Sequence, residues 1–398
     1  MNSLKTSSTS FRSILFIIGI IFIAFNLRPA ITSVGPLIGT IRDSIGLSNW
    51  NVGLITSLPL LAFAIMSPLA PKLANKFNNQ RSLLLGLSIL VAGICIRSIA
   101  FTITLYLGTT LIGIGIAICN VLLPGVIKEK FPTKVGFMTS IYTTSMSIFA
   151  ATASGLSIPL SQGLGLGWQK ALGSWAILAT IGLIIWIIIV NKDDQQLDNQ
   201  LFEPSATKLL ASPLAWQVTL FMGVQSFLFY TTISWLPEIL QTGDITKATA
   251  GWLLSYMQFI SLPATFLTPI LAGRFRNQQG IVVLIGSCAL LGYSGLFISD
   301  SLWLNMISIT FIGLALGASI SLSLTFLGMR ADNARQAAEL SGMAQSFGYL
   351  LAATGPILIG FLYDISGNWK LPLFTILIFS SLIVVFGLGA GRNKKVLD

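Results

Sequence analysis

Arg28 is the residue with the clearest capacity for binding chemistry, because it is a charged side chain near the middle of a long apolar segment. The segment runs from Ser13 to about Thr40, and Arg28 lies fifteen residues into it. A segment of this length can cross a bilayer, which places Arg28 near the middle of the membrane. A charge at that depth costs about 2.5–3.5 kcal/mol on insertion scales, and such residues normally face a cavity or a partner.

No other apolar segment supplies a counter-charge for Arg28, since none has an Asp, Glu or Lys in its middle. A bound anion would supply one. Pro29 raises a second interpretation, because proline has no N–H, leaves the Phe25 carbonyl without its helical partner and can kink the helix. Arg28 would then only hydrogen-bond freed carbonyls. We favour anion binding, because charges inside a membrane are rare and are usually functional.

Further polar and aromatic side chains lie inside apolar segments and could line a cavity with Arg28. A continuous helix would place Phe25, Arg28, Thr32 and Gly35 on one stripe. For each polar candidate other than Arg28, a hydrogen bond between neighbouring helices is an equally good explanation. The predicted substrate-binding residues are Arg28, Asn26, Thr32, Tyr142, Gln225, Phe229, Tyr256, Gln345 and Tyr349.

The other charges beside apolar segments are interpreted as structural. Arg97 lies near the end of the third segment and is expected to snorkel to the interface. Glu238 and Glu339 lie at segment ends, so we interpret them as terminus charges and not as proton sites. Arg330 and Lys128 stand at equivalent positions and are interpreted as cytoplasmic anchors that can also pair with Glu339.

The residue types that enzymes and metal sites use are scarce. The chain has no histidine, and its three cysteines lie in apolar segments without paired spacing, which indicates neither a disulfide framework nor a zinc site. No Walker loop and no nucleophile beside a base can be recognised. We therefore predict no enzyme activity, no cofactor and no metal, and we see no carboxylate at mid-membrane for proton coupling.

The amino-acid composition indicates that most of the chain lies in a lipid bilayer. Of 398 residues, 54% are hydrophobic and only 9% are charged, and the mean hydropathy is +0.83. A soluble domain carries about 25% charged residues. Apolar segments long enough to span a membrane recur along the whole chain. We predict twelve, at about 13–40, 50–71, 82–101, 104–127, 136–160, 170–190, 213–240, 250–271, 280–298, 302–327, 338–361 and 370–390.

The lysines and arginines are distributed unevenly over the loops. With the N-terminus inside, 17 of the 23 fall in cytoplasmic segments and 4 in outside loops, while Arg28 and Arg97 lie within spans. Because basic residues accumulate on the cytoplasmic side, we predict a multi-pass protein of the bacterial inner (plasma) membrane with both termini cytoplasmic. Topology thus explains the net charge of +10, and no nucleic-acid binding is expected.

The chain repeats itself at an offset of 198 residues. Residues 70–80 and 268–278 share Pro, Leu, Ala, a basic residue, Phe, Asn and Gln in the same order, and near the same offset Ile112-Gly113 is echoed by Ile312-Gly313. Parallel repeats place a binding site at their interface, near the bilayer midplane. We predict an all-α membrane protein of two pseudo-symmetric six-helix bundles, residues 1–190 and 213–398, joined by a polar cytoplasmic linker at 191–212.

These features resemble the major facilitator superfamily. The basic turns after the second and eighth segments stand where that family has a loop that usually reads Gly-x-x-x-Asp-Arg-x-Gly-Arg-Arg. Here Ala70 or Ala74 stands near the first Gly, and Asn75 stands where Asp is expected. Within the family, the sequence is similar to the cyanate porter branch, which includes the 2-nitroimidazole exporters. That similarity lies in Phe25-Asn26-Leu27-Arg28-Pro29-Ala30, Asn120-Val121-Leu122-Leu123-Pro124, Trp235-Leu236-Pro237, Gly355-Pro356 and the run from Leu340 to Tyr349.

The resemblance implies alternating-access transport, with the first and seventh segments lining a cavity from opposite halves. We predict a secondary active or facilitative transporter of a small anion or small polar acidic solute that is cyanate-like, nitrate-like or nitroimidazole-like, acting as a monomer in the lipid bilayer. Multidrug-type efflux of lipophilic compounds is an alternative, which an acidic residue in the cavity would favour. A non-transporting membrane sensor is a second alternative, and the chain shows no soluble output domain that would support it.

Overall fold

The computed structural model describes residues 2–131, 135–192, 207–241, 245–298, 301–332 and 334–397. Within these ranges the secondary structure is helical, without a β-strand, as expected where lipid forces the backbone to bond within each segment. The helices of the first half are α1 (Asn2–Asn26), α2 (Pro29–Thr32), α3 (Ile38–Ile45), α4 (Asn49–Met66), α5 (Ala70–Phe77), α6 (Asn79–Arg97), α7 (Thr102–Lys130), α8 (Val135–Ile158), α9 (Gly167–Gly173) and α10 (Trp175–Lys192).

The second half continues with α11 (Thr207–Leu210), α12 (Pro213–Leu240), α13 (Lys247–Arg274), α14 (Gln279–Ile298), α15 (Leu302–Met329), α16 (Ala334–Ser366) and α17 (Lys370–Ala390). A 3₁₀ turn, Gly35–Leu37, separates α2 from α3, and a π-helical turn, Pro159–Gly163, follows α8. Most of the predicted linker, residues 193–206, lies outside the described ranges.

Ten stretches of the described helices are long and apolar enough to cross a membrane. They are α1–α3 taken together, α4, α6, α7, α9–α10 taken together, and each helix from α13 to α17. α8 and α12 occupy the positions of the fifth and seventh predicted segments. α12 is buried along most of its length, so its polar side chains face other helices, where hydrogen bonds can satisfy them. The count of twelve spans remains a prediction.

The helices of the two halves pack in matching ways. α7 packs against α4 and α6 in the first half, and α15 packs against α13 and α14 in the second. These helices correspond to one another through the sequence repeat. Two crossings join the halves, since α4 packs against α16 and α8 packs against α13. The bundle boundaries at residues 190 and 213 are kept as our proposal.

The repeated Ile-Gly pair has the same packing role in both halves. A Cβ on Gly113 of α7 would lie 2.5 Å from the Cα atom of Pro59 in α4. A Cβ on Gly313 of α15 would lie 2.6 Å from the carbonyl oxygen of Met257 in α13. Both distances are far inside van der Waals contact, so only glycine permits these helices to approach so closely. The sequence echo therefore marks an equivalent helix contact.

Arg330, directly after α15, is fixed by the C-terminal part of the chain. Its Nε donates to the Ala390 carbonyl at 2.8 Å, its Nη2 donates to the side-chain oxygen of Gln278, and the residue is 2% exposed. The predicted pairing of Arg330 with Glu339 is therefore wrong, because other acceptors occupy these donors. The side chain of Lys128, its predicted counterpart, lies outside the described part of the structure.

Candidate substrate site

The first membrane segment is not a continuous helix. α1 and α2 are separated by Leu27 and Arg28, and Arg28 has a φ of −124° and a ψ of −39°. Pro29 contributes to this break, because its ring carries no N–H that could bond the carbonyl four residues earlier. The predicted stripe assumed helical spacing across the break, so it is wrong for Phe25, Arg28, Thr32 and Gly35.

Carbonyl groups left free after α2, where Pro36 has no N–H to donate and Leu37 bonds Val34 instead, are bonded by side chains of α8. The hydroxyl of Ser154 lies 3.2 Å from the Thr32 carbonyl oxygen, and the hydroxyl of Ser157 donates to the Ser33 carbonyl at 2.8 Å. Irregular backbone is tolerated at membrane depth only where such partners satisfy its polar groups. The irregular stretch from Leu27 to Leu37 is therefore a built feature of the fold.

Arg97, the last residue of α6, supplies a further bond to this segment. Its Nη1 donates to the carbonyl oxygen of Ala30 at 2.6 Å, and the residue is 1% exposed. Its Nε and Nη2 atoms are buried and have no hydrogen-bond partner among the described residues. The prediction that Arg97 snorkels to the interface is therefore wrong. The side chain turns inward instead, because the helix ends at Thr32 and leaves the Ala30 carbonyl without its helical donor.

Arg28 projects from the break towards aromatic side chains of α12. Its guanidinium carbon lies 4.9 Å from the ring centroid of Phe229 and 6.0 Å from that of Tyr230. The side chain is half-buried, and among the described residues it forms neither a hydrogen bond nor an ion pair. A cation–π contact contributes about 0.5–2 kcal/mol but leaves the charge and its N–H donors available. Arg28 can therefore bind an anion.

Tyr349 of α16 extends the aromatic surface around Arg28. Its ring centroid lies 6.5 Å from that of Tyr230 and 5.2 Å from that of Phe63 in α4. Arg28 interacts electrostatically with both tyrosines, whose hydroxyls have no hydrogen-bond partner within the described ranges. We call Arg28, Phe63, Phe229, Tyr230 and Tyr349 the Arg28 site.

The structure brings part of the predicted set together. Three of its members belong to the Arg28 site, and Tyr142 of α8 lies in the neighbourhood of Tyr349. Sequence reasoning missed Phe63, which has no polar atom to distinguish it from core residues. It also missed Tyr230, because helical spacing assigns it to a different face from Phe229, its neighbour.

Asn26 and Thr32 bond within their own half instead. The Nδ2 atom of Asn26 donates to the Phe22 carbonyl at 2.7 Å and lies 3.4 Å from the carbonyl oxygen of Leu178 in α10. The hydroxyl of Thr32 donates to the Ala150 carbonyl of α8 at 3.0 Å and is fully buried. Both side chains hold helices together, so we do not keep them in the proposed site.

The other three predicted residues also have polar neighbours. Tyr256 forms a 2.8 Å hydrogen bond with the Thr310 hydroxyl, and Gln345 donates to the Ser341 hydroxyl at 2.9 Å. Gln225 is buried and donates to the hydroxyl of the residue that follows it at 2.7 Å. The Tyr256 bond joins α13 to α15 and is the helix-packing alternative to substrate binding, whereas the bonds of Gln345 and Gln225 stay within their own helices. None of the three side chains hydrogen-bonds Arg28 in the described structure.

Polar contacts join the two halves at the end of the bundle opposite the chain termini. Arg42 of α3 forms an ion pair with Glu238 of α12 at 3.2 Å and donates to the side-chain oxygen of Asn49 at 2.8 Å. Asp364 of α16 accepts from the Asn49 side chain at 2.6 Å and from the Trp50 backbone N–H at 3.0 Å. A carboxylate of one half thereby caps the N-terminus of α4 in the other. Glu238 is thus more than a terminus charge, because it joins the halves.

The first segment shows on which side the halves are closed. Its 3₁₀ turn packs against α12 and α13, and α3 packs against α12, whereas α1 packs against α8 and α10 of its own half. A Cβ on Gly35 would lie 1.9 Å from the carbonyl oxygen of Ile233, so the backbones of the two halves touch there. The structure is therefore closed on the side of Arg42, and the Arg28 site lies between the halves towards the side of the termini.

The sequence and the fold both match known transporters. A family model described as Major Facilitator Superfamily matches residues 14–353. YycB, an uncharacterized transporter of Bacillus subtilis, is 52% identical over 97% of this chain and 96% of its own. A 2-nitroimidazole transporter of Escherichia coli is 41% identical over 98% of this chain and 99% of its own.

A solved structure has the same fold at low sequence identity. It is a bacterial homolog to the human lysosomal transporter Spinster, in an inward-facing and unoccupied conformation. It aligns with a TM-score of 0.75 and 16% identity, covering 96% of this chain and 97% of that chain. This likeness establishes the fold alone.

Proposed function

This chain belongs to the Major Facilitator Superfamily, and we propose that it moves a small anion or small polar acidic solute by alternating access, with Arg28 as the charge partner. Its fold and its relatives are those of membrane transporters. The resemblance to the branch that includes 2-nitroimidazole exporters is confirmed by the relative with 41% identity.

The observation that supports the role of Arg28 is its uncompensated guanidinium between the two halves. Arg28 comes from the first half, whereas Phe229, Tyr230 and Tyr349 come from the second. A ligand that bonds Arg28 and rests on these rings would contact both halves. Its affinity would then depend on how the halves are placed. Alternating access needs that dependence, because a ligand shifts a conformational equilibrium only through differential affinity.

The donors of the site favour a planar or linear solute with delocalised negative charge. A guanidinium is a planar fork that can bond two acceptor atoms in parallel, and the Arg28 site also contains the hydroxyls of Tyr230 and Tyr349. Cyanate-like, nitrate-like and nitroimidazole-like compounds all present such acceptors. A relative with 41% identity is a 2-nitroimidazole transporter, which adds support for the third class.

We infer that the closed side, with Arg42, Glu238 and Asp364, faces outward. By the predicted topology, 17 of the 23 basic residues fall in segments on the side of the termini, and basic residues accumulate on the cytoplasmic side of membranes. In this conformation the Arg28 site would be reached from the cytoplasm. Residues 1–190 and 213–398 would then move as two bodies, in a monomer located in the plasma membrane.

Efflux of lipophilic compounds is a second candidate, and the four aromatic rings of the Arg28 site support it. The positive charge of Arg28 disfavours lipophilic cations, since like charges repel most strongly where water is scarce. A neutral lipophilic substrate would gain no charge-assisted bond from Arg28. Replacing Arg28 with glutamine therefore separates the two functions. A non-transporting sensor finds no support among the relatives, which are transporters.

Counterflow in proteoliposomes tests the proposal. Vesicles with wild type, Arg28→Gln or Arg81→Gln are loaded with cyanate, nitrate or 2-nitroimidazole, and uptake of the labelled compound is measured. The wild type should exchange at least one compound, and Arg28→Gln should lose most of that exchange. Arg81→Gln, which removes an exposed charge near the start of α6, should match the wild type.

Two outcomes would contradict the proposal. One is a well-folded Arg28→Gln variant that exchanges, at the wild-type rate, every compound that the wild type exchanges. The other is a wild type that exchanges none of the three anions but releases a lipophilic dye, which would establish efflux instead.

A further inference from the structure

We propose that Arg97 is a positioning residue, which holds the break of the first segment in the shape that presents Arg28 to the substrate, an assignment that rests on the proposed function. Arg97 belongs to α6 and Arg28 to the break, and the two are linked through one backbone carbonyl, that of Ala30.

The carbonyl of Ala30 lacks its helical partner. In a continuous helix it would accept from the N–H of Val34, but that N–H bonds the carbonyl of Ile31 at 3.2 Å instead. Ala30 is buried, and a buried carbonyl without a donor destabilises the backbone that carries it. Arg97 supplies the donor at 2.6 Å, so the local shape of the break depends on a side chain from another helix.

This bond fixes the direction of Arg28 because α2 is only one turn long. Arg28 is the N-cap residue of α2, and its carbonyl accepts from the N–H groups of Ile31 and Thr32. Ala30 lies within the same turn, two residues after Arg28. A single turn has too few internal bonds to set its own orientation. Anchoring Ala30 to α6 therefore orients the residue from which the Arg28 guanidinium projects.

A purely structural bond would not require an arginine. The neighbouring carbonyls of Thr32 and Ser33 are served by the neutral hydroxyls of Ser154 and Ser157. Arg97 instead buries a full charge, and two of its nitrogens have no partner among the described residues. Burying charge in this way is costly, and charges inside a membrane are typical of functional positions.

Affinity and melting temperature, measured on the same purified samples, test this role. The probes are nitrate, cyanate and 2-nitroimidazole, each titrated separately. Arg97→Met removes the donor but keeps a long apolar stem, so the Kd of every probe that the wild type binds should rise about tenfold, the lower end for a bond to a charged group. Arg97→Lys keeps a charged donor and should recover part of that loss.

The matched control is Arg330→Met. Arg330 is also fully buried and also donates to a backbone carbonyl, that of Ala390, but it lies outside the Arg28 site. Arg330→Met should lower the melting temperature and leave the Kd of each probe unchanged. A rise in Kd in this control would show that loss of any buried arginine weakens binding, and the role assigned to Arg97 would be overturned.

The decisive comparison repeats Arg97→Met in an Arg28→Gln background. A positioning residue loses its effect once the group that it positions is gone, so the double variant should match Arg28→Gln within about twofold. An equal further loss in both backgrounds, or no loss from Arg97→Met alone, overturns the inference and leaves the role of Arg28 intact. If Arg97→Met does not fold, Arg97→Lys takes its place in the same cycle.

Failure of the proposed function gives a different result. In that case Arg28→Gln itself keeps wild-type affinity, or the wild type binds none of the three probes. The assignment of Arg97 then falls together with that of Arg28.

Discussion

Replacing Arg28 with glutamine should weaken ligand binding while changing stability little. The guanidinium lies 4.9 Å from the Phe229 ring and 6.0 Å from the Tyr230 ring, and losing such contacts costs about 0.5–1 kcal/mol each at a half-exposed position. Removing an unpaired, half-buried charge acts in the opposite direction. The two effects largely cancel, so the melting temperature should shift by no more than about 4 °C.

The effect on affinity should be far larger. A hydrogen bond to a charged group contributes about 1.5–3 kcal/mol, and no other side chain in the described Arg28 site carries a positive charge. Arg28→Gln should therefore raise the Kd of an anionic ligand about 10- to 100-fold. Arg28→Lys keeps the charge and loses the planar fork, so it should show an intermediate Kd.

The assay is an isothermal titration with cyanate, nitrate and 2-nitroimidazole, with thermal unfolding followed on the same preparation. Arg81→Gln is the matched control, because it removes an exposed basic residue of α6 remote from the site. The competing interpretation, in which Arg28 only stabilises freed carbonyls, predicts a destabilised variant whose folded fraction binds normally. Unchanged affinity in a well-folded Arg28→Gln protein would refute the anion-site proposal.

Three further predictions concern the topology, the two carboxylates at segment ends and the contact of Gly35. Because of the bias in basic residues, reporter fusions should report inside at Gln196 and outside at Gly163 and Lys247, and an outside signal in the linker would contradict this topology. Glu238→Gln and Glu339→Gln should each retain substantial counterflow, since neither carboxylate lies at mid-membrane. Loss of exchange in both well-folded variants would reveal a proton site. Gly35→Ala should push a Cβ against the Ile233 carbonyl, 1.9 Å away, and oppose closure of the halves by about 1–3 kcal/mol. Leu254 is fully buried beside Gly35, so thiol labelling of Leu254→Cys should increase in the Gly35→Ala variant. It should not increase with Gly163→Ala, whose Cβ meets nothing within 4 Å, and equal labelling in both would count against this contact.

The polar contacts on the side of Arg42 explain how the two halves can be held closed there and still separate. The Arg42–Glu238 pair is partly exposed, with side chains 24% and 16% accessible, and such pairs contribute at most about 1 kcal/mol. Asp364 adds its cap on α4. These contacts are weak enough to break and reform during a transport cycle. The close contact of Gly35 with the Ile233 carbonyl, in contrast, requires the two halves to fit tightly.

Much of the fold could be predicted from the sequence. The apolar segments correspond to helices because lipid offers the backbone no hydrogen bonds, so each segment must satisfy its own. The echo of Ile112-Gly113 in Ile312-Gly313 predicted related halves, and the structure places both glycines at equivalent helix contacts. The family followed from short motifs, and the match over residues 14–353 confirms it.

The sequence by itself marked Arg28 as a candidate binding residue, because a charge in an apolar segment is visible without coordinates. Only the tertiary structure decided which side chains surround it. Helical spacing failed at Leu27 and Arg28, where the break turns Arg28 towards α12 and leaves Thr32 on α8. The position of Arg97 was equally hidden. Whether an arginine at a helix end turns to the interface or inward depends on a free carbonyl in another helix, and periodicity along one helix carries no information about its neighbours.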